Sequence, residues 1–529
     1  MSPSTTRIVA IVLAVVLVLG AAGVAIGYGL SARDGGDSAD GPERTGPAPT
    51  STPSADATEP PDPALAAYYG QSIDWAACED DDDMECATLT VPVDYAEPDG
   101  ETIDLRLLRD PADEPGQRVG SLVVNPGGPG SPGTSYAAAG TQAFRQPLLD
   151  AFDIVGFDPR GTGGSDPVDC LSDEELDAFL AADPDPDDAA EEQALVEDLD
   201  GFFAGCVERS DALVGHVTTV EAARDMDVLR AALGETTLTY LGASYGTKLG
   251  ATYAELFPQR VGRLLLDGAV DVSLSTRESS LGQARGFETA LRAYVEDCVS
   301  GDDCPLGGSV EEGLTTITDL LDDIDAQPLP TSDDRELTVG SAFYGVVTPL
   351  YVRDYWPLLT QGLEQALDGD GTTLMLLADA YASRDSFSGD YLNNSAEAIY
   401  AINCLDDPTA LAPEDVPAQY ADFEEASPTF GRVFAWGLVG CAGIEVEASE
   451  PAPQIDGAGA APIVVVGTTR DPATPYEWAQ ALAEQLDSGV LVTRDGDGHT
   501  GYNSGNECVD TAVEDYLVEG TVPDDGLEC

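Results

Sequence analysis

The 529-residue chain is poor in positive charge and in histidine. Lys and Arg together number 23 against 97 Asp and Glu, giving a formal net charge of −74, and only two histidines occur. A field of that sign repels phosphate backbones and argues against nucleic acid as a partner. His216 and His499 alone cannot build a conventional zinc cluster and no C-x-x-C occurs, so neither a metal nor another cofactor is expected. No internal repeat suggests a solenoid. No cysteine precedes Cys78 and no twin arginine is present, which excludes a lipid-modified cysteine and a twin-arginine export signal near the N-terminus. The acidic surplus has two readings. One is a solubilising surface; the other is adaptation to salt, where repulsion among carboxylates is screened.

What is present sets a frame. With 43% hydrophobic residues the chain can bury a large core, as one domain with an insertion or as two or three smaller ones. The ten cysteines fall in sequence-local couples: Cys78 and Cys86, Cys170 and Cys206, Cys298 and Cys304, Cys404 and Cys441, Cys508 and Cys529. Five disulfides formed in an oxidising compartment are expected, although spacing alone does not fix the pairing. After Arg7, residues 8–32 carry no charge and are mostly Val, Leu, Ile, Ala and Gly. That run exceeds the ~7–15 residues of a usual signal core and is long enough to span a bilayer. Residues 1–32 are therefore read as a signal anchor, with a cleaved signal peptide as the alternative. Either engages the membrane and places the body of the protein outside the cell. Residues 33–63, rich in Gly, Ser, Thr, Pro, Asp and Ala without periodicity, read as a disordered spacer.

Beyond the spacer, short apolar runs each end in a Gly-rich or polar loop. They are residues 121–125 (SLVVN), 152–157 (FDIVGF), 238–241 (LTYL), 263–266 (RLLL), 463–466 (IVVV) and 490–493 (VLVT). Helical stretches such as 219–233 and 246–257 lie between them. Buried-type strands alternating with helices predict a mostly parallel sheet covered on both faces, with the active site on loops at the strand carboxyl ends. Residues 275–435 lack this rhythm and read as an inserted helical cap, with helices expected over 283–298 and 356–367.

Three groups of residues carry the chemistry. Residues 242–246 match G-x-S-x-G, preceded by a strand and followed by a helix, which is the context of a nucleophile elbow at Ser244. A serine at its ordinary pKa needs a base, and the chain order of an α/β-hydrolase (serine, then acid, then histidine) selects His499 over His216. The acid that orients the imidazole is expected to be Asp471, after the penultimate strand, with Asp267 as its rival; Asp495 and Asp497 lie too near His499 in a Gly turn. The oxyanion hole is expected from the amides of Tyr245 and Gly128, with Gly127 close behind, because the loop N-P-G-G-P-G at 125–130 follows an early strand.

The segments GGPG at 127–130, FDPRGTGGS at 157–165, GASYGT at 242–247, FPQRVGRLLLDG at 257–268, GTTRDPATP at 467–475 and GDGHTGY at 496–502 together resemble the exported tripeptidyl aminopeptidases of Gram-positive bacteria. These are capped α/β-hydrolases related to prolyl aminopeptidase. The similarity runs from about Tyr68 to the end and includes AINCLDD at 401–407. Where prolyl aminopeptidases carry histidine before GGPG, this chain has Pro126. The resemblance places the catalytic serine, acid and histidine on Ser244, Asp471 and His499. It implies an α/β-hydrolase core in two parts (64–274 and 436–529) around a cap at 275–435, and an exopeptidase acting on peptides with a free N-terminus. Such an enzyme needs carboxylates under the cap to take the substrate ammonium, and Glu288 and Asp406 are the candidates. An esterase or lipase with the same triad is the first alternative; a surface binding module that lost catalysis is the second.

Overall fold

The computed structural model describes residues 59–529 apart from 80, 82 and 302. The expected membrane segment and most of the spacer lie outside the described residues, among which no helix is long and apolar enough to cross a membrane.

In chain order the strands are β1 (Ala76–Ala77), β2 (Glu85–Pro92), β3 (Thr102–Asp110), β4 (Gly120–Asn125), β5 (Phe152–Phe157), β6 (Leu238–Ala243), β7 (Val261–Asp267), β8 (Leu329–Pro330), β9 (Glu336–Leu337), β10 (Ile463–Arg470), β11 (Gly489–Asp497) and β12 (Leu527–Glu528). Ten of them form one sheet in the order β1-β2-β3-β5-β4-β6-β7-β10-β11-β12. From β5 to β12 every neighbour is parallel, whereas β1, β2 and β3 join antiparallel at one edge. The six apolar runs in the sequence are the cores of β4, β5, β6, β7, β10 and β11. Strands β4 and β5 are buried at every position, as a sheet covered on both faces demands. The edge strands β2 and β3, which received no assignment from sequence, bury alternate residues such as Leu89, Val91, Leu105 and Leu107.

Register decides where the loops meet. Asn125 of β4 pairs with Gly242 of β6, Ala243 of β6 with Asp267 of β7, and Asp267 with Val466 of β10. The carboxyl ends of the four central strands therefore stand at one level of the sheet. The fold is an α/β-hydrolase.

Between Asp267 and Ile463 no strand among the described residues joins the main sheet; the chain runs through helices, including Thr276–Ser300, Val310–Ala326, Trp356–Leu367 and Ser395–Asp406, with β8 and β9 as a small separate hairpin. Thr276–Ser300 starts at a capping box, in which Ser275 accepts from the Glu278 amide and Glu278 reaches back to Ser275. Its inner face joins a separate apolar cluster with Ile317, Leu350, Leu359 and Leu374. Helices Asp173–Ala181 and Ala189–Ser210 precede this region in sequence but pack on it. Phe179 meets Tyr400 edge-on at 5.3 Å, Arg384 donates to Asp177 at 2.6 Å, and Leu199 clusters with Ala284, Val416 and Trp436.

The cysteines form five disulfides, Cys78–Cys86, Cys170–Cys206, Cys298–Cys304, Cys404–Cys441 and Cys508–Cys529, and none is left free. The segment FDPRGTGGS gains a physical meaning. The Arg160 guanidinium, fully buried, donates twice to Asp225 at 2.8 Å and also to the carbonyls of Pro92, Val93 and His216. Asp158 accepts from the Thr134 and Gly164 amides and from the Thr134 hydroxyl.

Two outcomes follow. Arg160→Ala strands the buried Asp225 charge and is expected to lower unfolding free energy by about 3–5 kcal/mol, read by chemical denaturation. Thiol titration of the unfolded, unreduced protein is expected to find no reactive cysteine, and reduction to release all ten.

Candidate active site

Ser244 follows β6 directly and precedes helix Tyr245–Leu256, so the chain reverses direction within one residue. It does so at φ 56° and ψ −125°, in the half of conformational space that residues bearing a Cβ rarely enter. The flanking Gly242 makes the reversal possible, since a Cβ there would stand 2.3 Å from the Gly246 carbonyl oxygen. The Ser244 amide donates to the Asp267 carbonyl at 2.9 Å, and the Ser244 carbonyl accepts from the Thr247 amide and hydroxyl. Although Ser244 occupies the helix cap position, its hydroxyl makes no capping bond and stays available. The helix N-terminus beneath it favours developing negative charge.

His499 lies in the loop after β11. Its Nδ1 is 2.9 and 2.8 Å from the two carboxylate oxygens of Asp471, in the loop after β10. A carboxylate only accepts, so Nδ1 carries the proton and Nε2 presents a lone pair. Nε2 is buried and has no hydrogen-bond partner among the described residues, Ser244 Oγ included. Hydrogen bonds of this kind often tighten only when substrate binds. Asp471 is itself fixed by the amides of Ala473 at 3.0 Å, Thr474 at 2.9 Å and Thr500 at 3.3 Å. From the cap side, the Tyr351 carbonyl takes the His499 backbone amide at 2.8 Å and its ring packs edge-on against the imidazole at 5.4 Å. Burial pushes the imidazole pKa down. The charge and hydrogen bond of Asp471, with Asp267 further behind, outweigh it and leave the pKa above the usual 6.5.

Asp267, the rival acid, does not touch the ring through its carboxylate; it accepts the amides of Gly501 at 2.7 Å and Tyr502 at 2.8 Å. The loop after β4 lies against the elbow: a Cβ on Gly127 would come 2.8 Å from the Ser244 Cβ and 3.0 Å from the Tyr245 nitrogen. The Gly127 amide is bound to Asn125 Oδ1 at 3.0 Å.

The two cap carboxylates differ. Asp406 has both oxygens engaged, by the Thr219 amide at 2.9 Å, the Thr219 hydroxyl and Lys248 Nζ at 2.7 Å. It ties the cap to the elbow helix, so the expectation of an ammonium anchor there is withdrawn. Glu288 receives the Ser427 hydroxyl at 3.0 Å and the Thr429 amide at 3.3 Å on Oε2, while Oε1 is buried without a hydrogen-bond partner among the described residues. Its helix runs close over the acid loop. Gly286 sits where a Cβ would be 2.5 Å from the Pro472 carbonyl oxygen, and Phe287 packs on Tyr351 at 5.8 Å. The other histidine, His216, pairs with Glu221 at 2.9 Å, outside this constellation. The cap contribution of Tyr351 had no signal in sequence, because it acts through a carbonyl that any residue possesses.

The family model for TAP-like proteins matches residues 427–529, which hold Asp471 and His499. Serine protease Hip1 of Mycobacterium tuberculosis is 40% identical over 480 residues, 87% of this chain and 91% of that one. The chain belongs to the TAP-like family of α/β-hydrolases. Carboxylesterase B of Mycobacterium tuberculosis is 38% identical over 84% of this chain and 86% of its own. The tripeptidyl aminopeptidase of Streptomyces lividans is 32% identical over 88% of each. This TAP-like protein is a serine hydrolase, which sets aside the silent binding module.

If the Asp471–His499 contact orients the base, Asp471→Asn is expected to lower kcat about 10⁴-fold, because the amide no longer fixes the working tautomer. Protonation removes the base, so kcat/KM of the unaltered enzyme is expected to fall as pH drops through an ionisation above 6.5. A pH–rate profile on an uncharged substrate reads both.

Proposed function

We propose that this TAP-like hydrolase is an extracytoplasmic exopeptidase that releases short peptides, tripeptides foremost, from free N-termini. Ser244 Oγ attacks the carbonyl carbon while His499 Nε2 takes its proton. Asp471 orients the ring and stabilises the imidazolium, and the amides of Tyr245 and Gly128 hold the oxyanion. Engagement of the Gly127 amide by Asn125 supports Gly128 as the second donor. The imidazolium returns its proton to the leaving amine, and water, deprotonated by the same ring, releases the acyl group from Ser244.

The observation that carries the exopeptidase reading is Glu288. A buried carboxylate oxygen without a hydrogen-bond partner among the described residues, on the helix that touches the Asp471 loop, is the complement of a substrate ammonium. Binding the N-terminus at a fixed distance from Ser244 would count off the released length. The name of the Streptomyces lividans relative agrees with this reading, and the five disulfides support an oxidising location. A second reading, an esterase of small acyl esters, is favoured by the relative named carboxylesterase B.

The test compares tripeptide p-nitroanilides, their N-acetylated forms and p-nitrophenyl esters. Free but not blocked peptides are expected to be cleaved, Ser244→Ala to lose about 10⁶-fold in kcat, and Glu288→Gln to raise KM for free peptides more than for esters. Ester turnover alone would establish the second reading.

A further inference from the structure

The segment Asp267-Gly268 touches both Ser244 and the His499 loop without belonging to the triad. The Asp267 carbonyl takes the Ser244 amide at 2.9 Å. Its carboxylate receives two successive amides of the histidine loop, Gly501 on Oδ1 at 2.7 Å and Tyr502 on Oδ2 at 2.8 Å. Gly268 lies under the imidazole, where a Cβ would be 3.0 Å from His499 Cε1. The loop needs such fixing, because Thr500 at φ 69° and Asn503 at φ 56° both hold conformations that side-chain-bearing residues avoid. A carboxylate accepts strongly on both oxygens; an amide turns a hydrogen toward one of the two N–H groups, and a carboxylic acid offers its hydroxyl oxygen only as a weaker acceptor.

We infer that Asp267 is a positioning residue which, as a carboxylate, sets the distance and angle between Ser244 and the His499 ring. This rests on the reading of Ser244, His499 and Asp471 as the catalytic residues. It gives Asp267 a part distinct from the acid that orients the imidazole. The groups facing Asp267 electrostatically are His499, Asp471, Arg494 and the Tyr136 phenol. Burial raises the Asp267 pKa to about 6, against the two amides and the imidazolium, which lower it, while the Asp471 charge raises it further. As pH falls, His499 protonates and loses its lone pair, and protonation of Asp267 weakens its hold on one of the two amides. Two protons therefore switch the site off.

The experiment uses inactivation by a small uncharged fluorophosphonate, which reports serine activation whether the natural substrate is a peptide or an ester. The pH dependence of kinact/KI is measured for the unaltered enzyme and for Asp267→Asn, with mass spectrometry locating the adduct. The unaltered enzyme is expected to show an acid limb steeper than one proton. Asp267→Asn is expected to show a one-proton limb, shifted to lower pH because a negative charge near the imidazole is gone, and a plateau lowered about ten- to a hundredfold through kinact with KI little changed. A one-proton limb in the unaltered enzyme overturns the inference, even if the variant does not fold. So does a variant plateau within about twofold of the unaltered one. An adduct elsewhere than Ser244 would instead remove the catalytic reading on which the inference stands.

Discussion

Ser244 is held at φ 56° by its surroundings, and the rest of the site is arranged around that one residue. Such a backbone conformation costs about 1–3 kcal/mol and persists only where neighbours over-determine it. Here they do. The incoming strand is hydrogen-bonded on both sides, to β4 and β7, and the outgoing helix begins at the next residue. The Ser244 amide is taken by Asp267 and its carbonyl by Thr247. The sheet thus maintains a strained turn that presents a hydroxyl making no capping bond to its own helix. The register that aligns Asn125, Ala243, Asp267 and Val466 brings the loops after β4 and β10 to the same level.

A chain with few cations places several of them at junctions. Lys248, the only lysine, joins the elbow helix to Asp406 of the cap. Arg160 gathers the end of β2, the His216 loop and Asp225 around a core with no solvent access. Arg384 binds Asp177, tying the cap to the helices that precede β6, and Arg494 donates to the carbonyls of Asp497 and Thr500 beside the histidine. In a molecule of net charge −74, the carboxylate pairs of Lys248, Arg160 and Arg384 also relieve repulsion where acidic segments approach one another.

Much of the sheet was legible because parallel strands buried on both faces are unbroken apolar runs, as in residues 121–125 and 463–466. β2 and β3 were not assigned, because their alternating pattern interrupts the apolar signal with Thr, Asp and Arg at exposed or half-exposed positions. Ser244, Asp471 and His499 could be singled out from loop position and chain order. Their mutual geometry could not, since it depends on register between strands far apart in sequence. The choice between Glu288 and Asp406 lay beyond sequence for a different reason. In so acidic a chain every cap carboxylate looks alike until its partners are known. Lys248 and Thr219 occupy Asp406, and no described residue hydrogen-bonds Glu288 Oε1.

The histidine is held from both layers of the molecule. Asp471 and Asp267 fix its ring and its loop from the sheet, and the Tyr351 carbonyl fixes its backbone amide from the cap. The helical insertion therefore holds the His499 loop directly, through the carbonyl and ring of Tyr351. A cap that shifted as a body would move Tyr351 and Glu288 together, because Phe287, next to Glu288, packs on the Tyr351 ring. Any displacement that loosens a site for a substrate ammonium would then also loosen the base. On the proposed reading of Glu288, recognition of the N-terminus and readiness of His499 would be coupled through that one aromatic contact.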